Sequence, residues 1–196
     1  MPAVASRVVV TLAISALALA VLSGCVPTPT PTPSGTPSES ASDTPGASPT
    51  PSPTASVVST PITIDCNALV TPDDIYAFNP NYGLITRWTP KSGSAAATAK
   101  SEQGIACRWQ NQSSGDTIDI SAAHLDAAAI EALKNDAVEK STMVPTYGDE
   151  AYFSVTGGVG TAIVFQGAYW LVASSVEFAE PGDPADLISA ALSALK

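Results

Sequence analysis

The sequence predicts an α+β fold: an antiparallel sheet of about five strands with helices packed on one face, preceded by a signal peptide and a disordered linker. Three observations carry that expectation. Within residues 61–196, start signals and periodic patterns follow one another as helix, two strands, helix, three strands, helix. The strand candidates alternate apolar and polar residues, as a sheet with one covered face does. Residues ahead of 61 fall into two zones, one apolar and one rich in Pro, Thr and Ser, and neither has the mixed composition of a packed core.

The first zone opens with a weakly basic stretch containing Arg7, followed by an apolar run from Val8 to Leu22 broken only by Thr11 and Ser15. That run suits the core of a signal peptide better than a membrane span, which needs about 20 apolar residues. It ends in Leu22-Ser23-Gly24-Cys25. This tetrapeptide resembles the bacterial lipobox. The resemblance implies removal of residues 1–24 and attachment of a diacylglyceryl group to Cys25, which becomes the mature N-terminus. Two acyl chains, at roughly 0.8 kcal/mol per buried methylene, hold a protein stably on a membrane where one chain is marginal. The expected location is therefore the extracytoplasmic face of the cell membrane, with the lipid anchor as the membrane partner. The competing reading is a chance cysteine behind an ordinary secretory signal.

Residues 25–60 form the second zone. From Val26 to Thr60 there are 9 Pro and 16 Ser or Thr in 35 residues, and no aromatic residue. Such a segment cannot bury enough apolar area to offset its ordering entropy, so a disordered stalk is expected. Its reach is roughly 30 Å as a flexible coil and about 110 Å when extended. Its Thr-Pro repeats leave open whether it is glycosylated.

The globular domain is expected over residues 61–196. Thr71-Pro72-Asp73-Asp74 supplies an N-cap, a proline at the first helical position and acidic residues for the helix dipole, ahead of Ile75-Tyr76-Ala77-Phe78. Asn79-Pro80 ends that helix. The stretch from Trp88 to Gln103 lacks periodicity and reads mostly as loop. Gly104 to Gln110 and Thr117 to Ala122 flank Ser113-Ser114-Gly115-Asp116 as a hairpin, with Ile118 and Ile120 directed inward. Leu125 to Val138 places Leu125, Ala128, Ile130 and Leu133 at near-helical spacing, one apolar stripe on a surface helix. A meander of three strands is expected over 150–156, 161–166 and 168–176, turning at Gly157-Gly158 and Gln166-Gly167. Asp183-Pro184-Ala185-Asp186 repeats the earlier start signal and opens a last helix through Leu187, Ile188, Ala191, Leu192 and Leu195.

Charge narrows the partners. The chain has 8 Lys+Arg against 18 Asp+Glu, a net charge of -10. Losing Arg7 with the signal peptide leaves 7 minus 18, or -11. Phosphate contacts need clustered cations, whereas Arg87, Lys91, Lys100, Arg108, Lys134 and Lys140 are spread singly. Nucleic-acid binding is not expected, and attachment to an anionic lipid surface must come from the anchor rather than a basic patch.

Of the 3 cysteines, a lipidated Cys25 leaves Cys66 and Cys107 as a pair in an oxidising compartment, and a disulfide is the natural expectation. Closing this loop of about 42 residues stabilises by roughly 4 kcal/mol in the chain-entropy account. The rival is a metal site. Two cysteines and the single His124, without a Cys-x-x-Cys spacing, fall short of a tetrahedral zinc shell. Neither cysteine has the vicinal arrangement of a reactive thiol.

Asp65-Cys66, Cys107-Arg108-Trp109 entering a strand, and Tyr147-Gly148-Asp149-Glu150-Ala151-Tyr152 together form a pattern. It resembles an actinobacterial cell-envelope lipoprotein family of unknown function, which has a lipobox, a Thr/Pro/Ser stalk, a Cys to Cys-x-Trp disulfide and a later Gly-Asp-Glu-Ala strand. More distantly, it is similar to extracellular sensor domains of bacterial receptor kinases. The resemblance spans most of residues 65–195 and implies fold and location. It implies no activity, and no catalytic residue is carried over.

The remaining candidate residues read as structural. His124, placed at the start of the second helix, would need a neighbouring Ser or Cys and an oriented carboxylate for hydrolysis. The pairs Asp73 with Asp74 and Asp183 with Asp186 lack the dense loop of acids that holds calcium, and helix capping accounts for them. Asp149 and Glu150 are adjacent in a strand, so they face opposite sides and cannot act as a paired acid and base. Gly157-Gly158-Val159-Gly160 is a turn rather than a dinucleotide fingerprint, and no cofactor is expected. Asn111-Gln112-Ser113 matches a glycosylation sequon by chance. Trp109, Tyr169 and Trp170 lie on strands, where the core competes with a cleft for a hydrophobic or sugar-like ligand. The expected function is a non-enzymatic domain, without catalytic, cofactor or metal residues, that binds an envelope ligand or protein. The alternative is a structural or accessory scaffold subunit of an envelope complex.

Overall fold

The structure, a computed structural model, describes residues 59–196. The expected signal peptide, the lipidated Cys25 and nearly all of the expected stalk lie outside the described residues. The chain is already engaged at Thr60, whose amide donates to the His124 carbonyl at 3.0 Å.

Five helices are described: α1 Cys66–Leu69, α2 Pro72–Phe78, α3 Ala95–Ser101, α4 Ala127–Lys140 and α5 Ala185–Ala194. The strands are β1 Tyr82–Leu84, β2 Ile105–Asn111, β3 Thr117–His124, β4 Thr142–Met143, β5 Glu150–Thr156, β6 Val159–Gln166 and β7 Tyr169–Ser175. Among the described residues they form one seven-stranded sheet in the order β1-β2-β3-β7-β6-β5-β4, and every neighbouring pair is antiparallel. The α+β class holds. The sheet exceeds the expected five strands because β1 and β4, of three and two residues, are edge strands too short to leave a periodic signal.

Local chemistry explains the elements that were expected. Thr71 accepts from the Asp74 amide at 3.2 Å while the Asp74 carboxylate accepts from the Thr71 amide at 3.0 Å, a complete capping box at the start of α2. The β2–β3 turn is organised by Asn111, whose side-chain oxygen accepts from the Ser113 and Ser114 amides at 2.9 and 3.2 Å. That use, with Asn111 buried, fits the reading of its sequon as accidental. Gly157 and Gly158 sit at φ 59° and 80° between β5 and β6. Two successive left-handed residues make the tight hairpin turn whose twist matches the flanking strands.

Helices cover both faces of the sheet, not one. Trp109, Ile118, Ile120, Val164 and Leu171 pack on one side with Leu69 of α1, Ile75 of α2 and Leu187 and Ile188 of α5. Tyr152, Phe165, Trp170 and Val172 pack on the other with Ala99 of α3 and Ile130 and Ala137 of α4. The reason lies in β5 to β7. Ala151-Tyr152-Phe153 and Trp170-Leu171-Val172-Ala173 are unbroken buried runs, the mark of strands covered on both sides. By contrast β2 alternates between buried and half-buried along its length.

Helix α3 occupies a stretch expected to be loop. Ser94 caps it, accepting from the Ala97 amide at 3.2 Å, and the small Ala96 and Ala99 let it lie close to the sheet. It ends with Gln103 at φ 57° and the Gly104 amide donating to the Ala99 carbonyl at 2.7 Å. A Cβ on Gly104 would stand 2.1 Å from the Ala122 carbonyl oxygen, so only glycine passes there.

Candidate functional site

A concavity opens at the β1 edge of the sheet, an open cleft of about 450 Å³ between α1, α3 and the segment following β1. Its volume falls within the roughly 300–1,000 Å³ of small-molecule sites. On one side stands α1, whose cap Asp65 accepts from the Ala68 amide at 2.9 Å. The disulfide between Cys66 and Cys107, with Cα atoms 5.6 Å apart, fastens this four-residue helix to β2. Cys107 is fully buried, while Cys66 is half-buried and borders the cleft.

Opposite, the chain leaves β1 with the Ile85 amide donating to the Arg108 carbonyl at 2.8 Å, then turns through Thr86 and Arg87 to Trp88. The Trp88 ring lies over the Arg108 guanidinium, 4.2 Å from its carbon to the ring centroid. Arg108 is itself fixed. Its Nε and Nη2 donate to Asp119 Oδ1 and Oδ2, both at 2.6 Å, a bidentate pair between paired residues of β2 and β3. Hydrogen bonding to Asp119 raises the Arg108 pKa above its ordinary value. The ion-paired Arg108 thus supports the indole, and Trp88 and Lys100, in the last turn of α3, both border the cleft.

Of the residues singled out from the sequence, Cys66 and Cys107 are joined as expected. His124 ends β3 rather than starting a helix, and its ring meets Tyr169 edge-on at 4.9 Å. The helix begins only after Asp126 accepts from the Ala129 amide at 2.8 Å. Asp149 and Glu150 diverge as expected. The Asp149 carboxylate accepts from the Gly167 amide at 2.8 Å and pins the β6–β7 turn, whereas Glu150 pairs with Lys134 at 2.9 Å and accepts from the Tyr152 hydroxyl. That hydroxyl bond, then Lys134, lowers the Glu150 pKa, and the same bond pushes Tyr152 up to about 12.

Asp183 does not cap α5. Its carboxylate accepts from the Ala179 and Glu180 amides at 2.7 and 2.8 Å, tying the preceding loop, while Pro184 occupies the cap position without a side-chain bond. Asp74 serves the capping box already described. Among the described residues no three His, Cys, Asp or Glu side chains converge as metal ligands would.

Trp109 and Trp170 belong to the two cores and line no open space. The aromatic that borders the cleft, Trp88, lies in the stretch expected to be loop. One signal could have found its support. In Cys107-Arg108-Trp109 the strand period sets Arg108 on the face opposite Trp109, a cation on the less covered side of an alternating strand.

Among the described residues no helix is long and apolar enough to cross a membrane. No family model, curated protein or solved structure matches the chain.

Proposed function

We propose that the chain is a lipid-anchored extracytoplasmic binding protein: residues 1–24 are removed, Cys25 is acylated, residues 25–60 act as a stalk, and the domain from 61 captures an envelope ligand without transforming it. The observation that carries the binding reading is the cleft beside the disulfide, bordered by Trp88 with Arg108 and Asp119 fixed behind the ring. A side chain immobilised before binding loses little entropy on binding. The Cys66–Cys107 disulfide supports an oxidising compartment. Leu22-Ser23-Gly24-Cys25 supports the anchor, since two acyl chains suffice for stable membrane residence. We take the chain to share the class of actinobacterial envelope lipoproteins that its Cys107-Arg108-Trp109 and Gly148-Asp149-Glu150-Ala151 segments resemble.

Two measurements test the two halves of this reading. Cells fed labelled palmitate are expected to yield labelled protein in the membrane fraction, and Cys25→Ser is expected to abolish both label and sedimentation; label that persists in the variant overturns the anchor. Full-length protein is expected to melt at higher temperature with the small-molecule fraction of the envelope. A stoichiometric protein crosslinked in cells, with no such rise, would favour a scaffold subunit instead.

A further inference from the structure

We infer that the cleft at the β1 edge is a carbohydrate site, taking an uncharged, hydroxyl-rich pyranose unit of an envelope glycan with its apolar ring face stacked on Trp88. This rests on the binding reading above and goes beyond it in naming the ligand class. Arg108 covers one face of the Trp88 ring, and the half-buried residue also borders the cleft. A flat aromatic surface held from behind suits a ring with a face of C–H groups, because contact then costs little side-chain ordering.

Arg108 is neutralised by Asp119, and the charged side chains bordering the cleft, Asp65 and Lys100, are one of each sign. An anionic or cationic ligand gains no net attraction there, and the acidity of the whole chain further disfavours an anion. The rim of the cleft is polar. Asn67, Thr86 and Lys100 border the cleft with no side-chain hydrogen bond or ion pair to other described residues, leaving donors and acceptors for ring hydroxyls. A fatty chain would leave that rim unpaired on desolvation and would want a more enclosed, wholly apolar cavity.

The test uses the full chain in micelles of a detergent without a sugar headgroup. Trp109 and Trp170 are buried in the cores, so a ligand-dependent change in quencher-accessible emission reports Trp88. Chitotriose, maltotriose and mannotriose are titrated beside two contrasting probes, palmitate and a neutral phenylalanine-containing tripeptide. A saturable response to one of the three glycans is expected. By saturation-transfer NMR, which needs no indole in the site, its affinity is expected to weaken about tenfold or more in Trp88→Ala and less in Trp88→Tyr. Asn67→Ala, at an exposed position, covers the case in which the tryptophan variants fail to fold, and is expected to weaken the same glycan severalfold. Saturation by palmitate or the peptide with none by glycans overturns the ligand class while leaving the binding reading in place. Silence from every probe overturns the carbohydrate assignment and removes the cleft's support for the binding reading as well.

Discussion

At the scale of single residues, the cleft depends on Arg108. Its bidentate bonds to Asp119 have the strongest geometry available to an ion pair, but the two side chains are 32% and 23% exposed, so solvent discounts the gain. Arg108→Ala is expected to lower unfolding free energy by only about 1 kcal/mol in urea titrations. Its larger effect is on Trp88, which should show red-shifted emission and readier acrylamide quenching once its support is gone. Unchanged quenching would mean that the loop itself holds the indole. Titration adds a second expectation. Burial pushes Tyr82 and Tyr147, and the bond to Glu150 pushes Tyr152, up to about 12 from an ordinary 10.0. A folded pKa above the unfolded one means that the native state holds its proton more tightly, so the contribution to stability is complete below pH 10 and is lost as pH rises toward 12. Melting temperature should therefore fall over that window, and Tyr152→Phe should flatten part of the slope. In the sequence, Trp109 and Trp170 could be set on strands, with core and cleft both open to them, and the structure puts both in the core. Trp88 could not be placed, since its role comes from a cation twenty residues away in the chain.

At the scale of elements, legibility followed the strength of local chemistry. Helix α2 was readable because Thr71, Pro72 and Asp74 put a cap, a fixed φ and a capping box in four consecutive positions. Strand β5 was readable from its aromatic and β-branched residues between turn signals. Helix α3 has a weaker mark, the Ser94 cap without a proline or a capping box. Its buried residues are alanines, which carry little periodic contrast, and the left-handed residue that ends it is Gln103 where glycine is the usual signal. The glycine comes one position later and serves a different purpose, letting the backbone of Gly104 pass the Ala122 carbonyl. Gly104→Ala therefore forces α3 and β3 apart and is expected to destabilise by about 3 kcal/mol or more, measured by chemical denaturation. Gly182→Ala, at a position where an added Cβ meets nothing within 4 Å, is the matched control and should change stability by less than about 0.5 kcal/mol. Equal losses in the two would point to a general cost of replacing glycine rather than to this contact.

At the scale of the whole molecule, the fold is two antiparallel units closed by a single long-range pairing. Strands β1 to β3 form one unit and β4 to β7 the other, and β3 pairs with β7 from Ile118↔Ser175 to His124↔Tyr169. The sequence marked the hairpin and the meander but not this seam, because pairing across α4 leaves no local trace in turn residues or spacing. Alternation in the strand candidates predicts a half-covered sheet, whereas the apolar runs of β5 and β7 require helices on both sides. The disulfide lies wholly within the first unit, joining α1 to β2 across 41 positions. Removing it with Cys66→Ser and Cys107→Ser together is expected to cost up to about 4 kcal/mol of global stability. Its local effect should be uneven. Helix α1 has four residues and places Leu69 in the core, so without the bridge the segment 59–70 and the cleft wall should exchange amide hydrogens faster than β5 to β7, which are buried on both faces. Hydrogen-exchange mass spectrometry distinguishes the cases. Selective loss of protection around α1 means that the bridge builds the cleft. Uniform loss over both units would mean that it acts mainly by restricting the unfolded chain, leaving the cleft to be shaped by the packing of Leu69 and the pinned Trp88.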